Sequence, residues 1–158
     1  MADIRIKVAK DKAKLVKAMR AGEGSTGLFQ TYYEILAFAA SLGIQEGAFF
    51  PFDEKDSSRE IDPIRQDQFS SKGYDQLINL IVVMHKKQPN LLEDNADCEK
   101  ERIRIFEGYA NGGLALLADI TKGSDDLFSQ LLLYVAKQKI RFEELETDSL
   151  DLESIFKL

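Results

Sequence analysis

The chain has 158 residues, with 44% hydrophobic residues, 30% charged residues and a formal net charge of −6 at pH 7. These values are typical of one ordinary globular domain and exclude a fibrous or low-complexity chain. The single cysteine and single histidine exclude an internal disulfide and a thiolate metal cluster within one chain. Because no apolar run approaches the ~20 residues of a membrane span and the Lys-rich start lacks a signal-peptide pattern, we expect a cytoplasmic protein.

The charge is distributed unevenly along the chain. Residues 1–20 carry seven Lys or Arg against two Asp, whereas residues 143–158 carry six Asp or Glu against one Lys. This asymmetry indicates a basic contact face and an acidic tail. We therefore predict a single helical domain over residues 1–142, which begins with a basic strand-helix-helix unit over 1–45. An acidic C-terminal tail follows over 143–158, where the density of carboxylates disfavours a packed helix.

The first predicted element is a short strand from Ile4 to Val8, in which apolar and basic residues alternate. A strand of this length needs a partner, and no second convincing strand pattern lies nearby in the sequence. The same strand of a second copy is the partner that we expect, so the chain is predicted to form a homodimer partly through these residues. A helical pattern over 11–20 follows.

The stretch from Phe29 to Gly43 has the clearest helix signals in the chain. Thr31 and Glu34 form a capping-box pattern, the apolar residues after them recur at helical spacing, and Gly43 is a residue type that commonly ends a helix. This predicts a core helix over 32–42. The preceding Gly22–Gly27 segment has a G-x-G-x-x-G spacing but lacks the strand and helix of a dinucleotide site, so we interpret it as a linker.

Four more helices are predicted in the second half of the chain. The first is capped by Ser70 or Ser71 and ends before Pro89, and it is expected to be the most buried. The next runs to about Tyr109, and residues 111–113 then break the chain into a helical hairpin. The fold class is therefore mainly α, with a short N-terminal strand and these inward positions: Ile35, Phe38, Leu42, Leu77, Ile81, Phe106, Leu117 and Leu131.

The first 45 residues have the element order of a ribbon-helix-helix unit. In that arrangement, paired strands enter the DNA major groove and the start of the second helix meets a phosphate. If the unit is present, duplex DNA is contacted by outward residues of the strand and first helix and by the second helix cap: Arg5, Lys7, Lys10, Lys12, Lys14 and Thr31. The alternative is that the strand covers the core and its basic residues form a solvated face.

Four segments, at 8–12, 29–43, 73–80 and 104–114, resemble the Dnd system-associated protein 4 family. The resemblance implies an accessory protein of the DNA phosphorothioation machinery, which replaces a non-bridging phosphate oxygen by sulfur. These motifs are apolar and mark no active site, and we predict no catalytic residue, metal site or cofactor. Two hypotheses follow: a non-enzymatic accessory protein that contacts DNA through its N-terminal segment, or an adaptor that binds proteins of the machinery without touching DNA.

Overall fold

A computed structural model describes residues 3–22 and 25–156, and the side chains of residues 3–22 and 27–146. The predicted fold class, mainly α, is confirmed. The elements are, in chain order, β1 (Arg5–Ile6), a 3₁₀ turn (Lys10–Lys12), α1 (Ala13–Met19), β2 (Ala21–Gly22), β3 (Ser25–Thr26), α2 (Tyr32–Glu46), a 3₁₀ turn (Glu54–Asp56), β4 (Ile64–Arg65), α3 (Gln66–Ser70), α4 (Tyr74–Lys86), a 3₁₀ turn (Pro89–Leu92), α5 (Ala96–Thr121) and α6 (Leu127–Phe156).

The chain forms two compact units, Met1–Asp119 and Ile120–Leu158. The predicted boundary after residue 142 lies within the second of these units. Helix α6 runs through that boundary without interruption, and the Nζ atom of Lys139 lies 3.9 Å from a carboxylate oxygen of Glu143, one turn further on. Such a pair stabilises a helix, so the acidic segment as far as Phe156 is a continuation of α6.

The predicted N-terminal strand has its pairing partner within the same chain. Strand β1 is antiparallel to β4, with Arg5 opposite Arg65 and Ile6 opposite Ile64. The sequence did not reveal this partner, because a two-residue strand such as β4 is too short to show an alternating pattern, and the homodimer stays a prediction. The strand-helix-helix order is present, but this edge of β1 is already paired and does not form the ribbon of a ribbon-helix-helix dimer.

Helix α2 begins as predicted and ends later than predicted. The capping box at Thr31 and Glu34 is present, but the helix continues through Gly43 to Glu46 and ends at Gly47, which has a φ of 67°. Gly43 lies against α5, since a Cβ atom on it would be 2.1 Å from the carbonyl oxygen of Tyr109. Its role is therefore close helix packing, and Gly47 is the left-handed residue that ends the helix.

Helix α5 is continuous through residues 111–113, where a break was predicted. The prediction was wrong because the glycines there allow backbone contact with other parts of the core. A Cβ atom on Gly112 would be 1.8 Å from the carbonyl oxygen of Ala48, and one on Gly113 would be 1.7 Å from that of Ala39. This packing outweighs the low helix propensity of glycine, which is ~1 kcal/mol per residue.

The most buried helical stretch belongs to α5, not to α4 as predicted. Eleven residues between 103 and 117 are buried in α5, whereas α4 exposes Leu80 and Met84 by 57% and 53%. Of the eight predicted inward side chains, six are buried, and Phe38 and Leu77 are partly exposed. The core of the first unit includes the Phe69 and Phe106 rings, which meet edge to face at a centroid distance of 5.5 Å.

Candidate functional site

Three of the predicted DNA-contacting cations form ion pairs within the chain. Arg5 lies 2.7 Å from Asp3, Lys7 lies 2.9 Å from Glu54, and Lys12 lies 2.6 Å from Asp11. The Arg5 guanidinium lowers the pKa of the Asp3 carboxyl, and Lys7 lowers that of Glu54, in each case mainly through the hydrogen bond. Although exposed pairs stabilise a fold only weakly, they reduce the positive potential of this segment.

The remaining predicted contacts do not form one cluster with Arg5 and Lys7. Lys10 and Lys14 are exposed at the start of the first helical segment, and Lys12 between them is buried. Thr31 caps α2: its hydroxyl accepts a hydrogen bond from the backbone N–H of Glu34, whose carboxylate accepts the N–H groups of Thr31 and Gln30. The start of α2 therefore already holds a carboxylate of its own chain at the place where a phosphate was expected.

Arg5 and Lys7 instead line a cavity of about 620 Å³ between β1 and α5. Two further cations, Lys100 and Arg104 of α5, line the same cavity and are exposed. We call this feature the basic-rimmed cavity, and its lining also includes carboxylates and apolar residues: Asp3, Ile4, Glu54, Pro63, Ile103 and Glu107.

The residues of this cavity are brought together by the spacing along α5 and by one hydrogen bond. Lys100, Arg104 and Glu107 follow one face of α5, because residues three and four apart lie above one another on a helix. The backbone N–H of Lys7 donates a hydrogen bond of 2.8 Å to the Glu107 carboxylate, which ties the N-terminal segment to α5. The i, i+4 spacing of Lys100 and Arg104 is visible in the sequence, but nothing in the sequence showed that this face lies beside β1.

Glu107 is the most perturbed titratable group of the cavity. Burial raises the pKa of its carboxyl to about 7, against the opposing effects of the Lys7 N–H and the Lys7 charge. Glu107 therefore takes up a proton as the pH falls through about 7, and the cavity then becomes more positive. Among the described residues that line it, none is Ser, Thr, Cys or His, and the chemistry that this arrangement supports is the binding of an anion.

The single histidine is part of an aromatic cluster between α4 and α5. The His85 Nδ1 atom lies 2.7 Å from the Tyr109 hydroxyl, and the His85 ring centroid lies 4.6 Å from that of Phe49. Burial, followed by the nearby charge of Lys86, lowers the His85 pKa. The structure therefore gives this side chain a packing role. Within the described residues, no three His, Cys, Asp or Glu side chains are grouped as metal ligands.

A second surface of the first unit is an apolar groove of about 510 Å³ between α2 and α4. Leu28, Phe38 and Leu77 supply apolar walls, and Leu80 and Met84 continue the Leu77 face of α4. We call this feature the α2–α4 groove, and its other lining residues are Phe29, Gln30, Glu34, Ala37, Ser41 and Tyr74.

The fold and these surfaces define a mainly helical protein whose first unit presents a basic-rimmed cavity and an apolar groove. A family model described as DNA sulphur modification system-associated protein 4 matches residues 5–155, and the chain belongs to this family. The resemblance seen in the sequence is thus confirmed, and the protein is associated with a DNA sulphur modification system. No curated protein and no solved structure matches the chain. Among the described helices, none has both the length and the apolar character needed to cross a membrane.

Proposed function

We propose that this chain is a non-enzymatic adaptor of the DNA sulphur modification system and that it binds another protein of the system in the α2–α4 groove. The observation that carries the proposal is the exposure of Leu80 and Met84, at 57% and 53%, beside a groove with apolar walls. Large apolar side chains that continue a groove are typical of protein interaction sites, since their burial by a partner is favourable by ~25 cal/mol per Å².

The chemistry of the groove suggests the kind of segment that it binds. Its lining combines apolar side chains with the polar groups of Gln30, Glu34, Ser41 and Tyr74. Protein interfaces likewise combine apolar and polar groups. A groove between two helices fits an amphipathic helix, which places apolar side chains three and four residues apart. The proposed partner segment is therefore an amphipathic helix of another protein of the system.

Three features favour an adaptor over a DNA-contacting role for the N-terminal segment. The net charge is −6, the cations of this segment that were predicted to read DNA are largely paired with carboxylates, and the start of α2 holds the Glu34 carboxylate. A DNA phosphate would therefore approach a segment in which Arg5, Lys7 and Lys12 are each already paired with a carboxylate. A protein partner in the α2–α4 groove does not have to compete with these ion pairs.

The test is copurification of the full chain with the other proteins of the system, expressed together and treated with nuclease. We expect capture that survives nuclease treatment and that falls strongly in Leu80→Asp/Met84→Asp, because the variant places two charges in the interface. Leu92→Asp is the control, since Leu92 is 41% exposed and lies in the 3₁₀ turn Pro89–Leu92, outside α2 and α4. Loss of capture on nuclease treatment, or an equal loss in the control, would reject the groove as the binding site.

A second candidate function, contact with DNA, is favoured by one observation. Arg5, Lys7, Lys100 and Arg104 line one cavity, where burial raises the pKa of Glu107 to about 7. If all four cations meet phosphates, the slope of log K against log salt is about −4, at ~0.9 per phosphate. Anisotropy with labelled duplex DNA at low salt then shows weaker binding for both Arg5→Ala/Lys7→Ala and Lys100→Ala/Arg104→Ala. Lys10→Ala/Lys14→Ala changes less, and absence of binding by the wild type rejects this candidate.

A further inference from the structure

Helix α6 carries a line of exposed apolar side chains that the α2–α4 groove does not involve. Phe128, Val135, Phe142 and Leu145 are exposed by 49%, 48%, 51% and 54%. Their separations of seven, seven and three residues place them at positions a, a, a and d of a heptad repeat. In the sequence, the same spacing continues at Leu152 and Phe156, so the pattern follows the whole helix.

A heptad line of this kind is the seam through which two helices pair. Each exposed side chain costs free energy in water, and a facing helix with the same spacing buries the line with knobs-into-holes packing. A second copy of this chain offers a helix with the required spacing and length. The remaining question is the direction of the pair, which the charges flanking the seam decide.

The charges of α6 divide it into a basic half and an acidic half. Lys137, Lys139 and Arg141 are followed by Glu143, Glu144 and Glu146, and the sequence continues with further acidic residues at 148, 151 and 153. A parallel pair would place the two acidic halves side by side, where they repel. An antiparallel pair places the basic half of each copy against the acidic half of the other.

We propose that α6 pairs with α6 of a second copy of this chain in antiparallel orientation. The symmetry axis lies between Phe142 and Leu145, so that Phe142 faces Leu145 of the second copy. In this register α6 overlaps α6 of the second copy over residues 131–156, about 26 residues or ~39 Å of helix.

The same register pairs the flanking charges. Lys139 faces Glu146 of the second copy, and this pair is repeated by symmetry. A parallel register instead pairs Arg141 with Glu146 and leaves Lys139 opposite Tyr134. Lys139 and Glu146 therefore distinguish the two directions. This dimer uses a different surface from residues 4–8, and it goes beyond the proposed adaptor function without depending on it.

The first test is sedimentation equilibrium of the full chain over roughly 1 to 100 µM. We expect a dimer whose dissociation constant rises about a hundredfold or more in Phe142→Asp/Leu145→Asp, because each copy loses two apolar seam residues. Leu133→Asp/Ile140→Asp is the control, since these residues are 52% and 55% exposed on another face of α6. Circular dichroism of each variant confirms that its helices remain. A wild-type monomer, or a dimer equally affected by the control, would overturn the proposal.

The second test determines the direction of the pair by charge exchange. Lys139→Glu alone and Glu146→Lys alone each create two like-charge contacts in the antiparallel dimer, so each weakens it by roughly threefold to tenfold. The combined variant Lys139→Glu/Glu146→Lys restores opposite charges and recovers the wild-type dissociation constant. A combined variant as weak as Glu146→Lys alone would show that the helices are not antiparallel in this register.

Discussion

Gly113 of α5 lies directly against the backbone of Ala39 in α2, so close that a Cβ atom on Gly113 would be 1.7 Å from the Ala39 carbonyl oxygen. The two helices therefore touch through their backbones at this point. The neighbouring Gly112 has the same relationship to Ala48, at 1.8 Å. Both contacts need residues without side chains, and they position α5, which carries two of the cations of the basic-rimmed cavity.

We expect Gly113→Ala to lower the free energy of unfolding by ~2 kcal/mol or more, because the added methyl group forces α2 and α5 apart. The higher helix propensity of alanine, worth ~1 kcal/mol, opposes this loss but does not cancel it. Urea denaturation measures the change. Gly22→Ala is the control, since nothing lies within 4 Å of a Cβ atom there. A Gly113→Ala variant as stable as the wild type would show that the two helices do not touch through their backbones.

The raised pKa of Glu107 predicts a pH dependence of stability. Its folded pKa of about 7 lies above the ordinary 4.5, so the folded state binds this proton more tightly than the unfolded chain. The free energy of unfolding therefore falls as the pH rises from about 4.5 to about 7 and stays lower above that range. We expect Glu107→Gln, which keeps an acceptor for the Lys7 N–H, to be more stable than the wild type by up to ~3 kcal/mol at about pH 8.

The comparison for Glu107→Gln is made by urea denaturation at about pH 4 and about pH 8, with Glu54→Gln as the control. Glu54 is an exposed carboxylate of the same cavity, and its pKa is lowered by Lys7. Its replacement therefore does not stabilise the protein at high pH. An equal difference between the Glu107 variant and the wild type at both pH values would contradict the predicted proton linkage.

The lowered pKa of His85 predicts a loss of stability as the pH falls, whereas Glu107 lowers the stability as the pH rises. Its pKa is lowered in the folded state, so on acidification the unfolded chain takes up this proton first, and stability is lost as the pH falls below about 6.5. We expect the free energy of unfolding of His85→Gln, relative to that of the wild type, to rise as the pH falls from about 7.5 to about 5.5. Denaturation midpoints at several pH values provide the measurement, and identical slopes for the two proteins would contradict the prediction.

The hydrogen bond between His85 and Tyr109 is tested separately. Tyr109→Phe keeps the ring contacts with Phe49 and His85 but removes the hydroxyl, and we expect a loss of ~1 kcal/mol in the free energy of unfolding at neutral pH. Tyr33→Phe is the control, since Tyr33 belongs to a different group of rings, with Phe69 and Tyr74. An unchanged stability of Tyr109→Phe would show that the 2.7 Å contact contributes nothing.

Thr31 was predicted to contact DNA, and its observed contacts predict an effect on stability instead. Thr31→Ala removes the acceptor for the Glu34 N–H, which should cost ~1 kcal/mol, whereas Thr31→Ser keeps the capping box and the stability. Any affinity for duplex DNA measured at low salt should be equal in the two variants. A selective loss of DNA binding in Thr31→Ala, with unchanged stability, would restore the original interpretation.

Features that depend on residues close together in the sequence were predicted correctly. The capping box at Thr31, the helical spacing after it and the mainly helical fold are all properties of short segments, and each is present in the structure. The family was also recognisable, because its motifs are contiguous segments of the sequence. Local patterns of this kind persist in the fold because capping and burial of an apolar face act within a few residues.

The sequence by itself therefore determined the helical class, the family and the start of α2, whereas tertiary contacts decided the rest. Gly43 and residues 111–113 looked like helix ends, but the close approach of α2 and α5 turned them into contact points within helices. The basic-rimmed cavity required β1 to lie beside α5, and the partner of β1 required β4, some sixty residues away. Such relationships depend on which faces meet in the core, and the free energy of that packing exceeds the local preferences that a sequence pattern records.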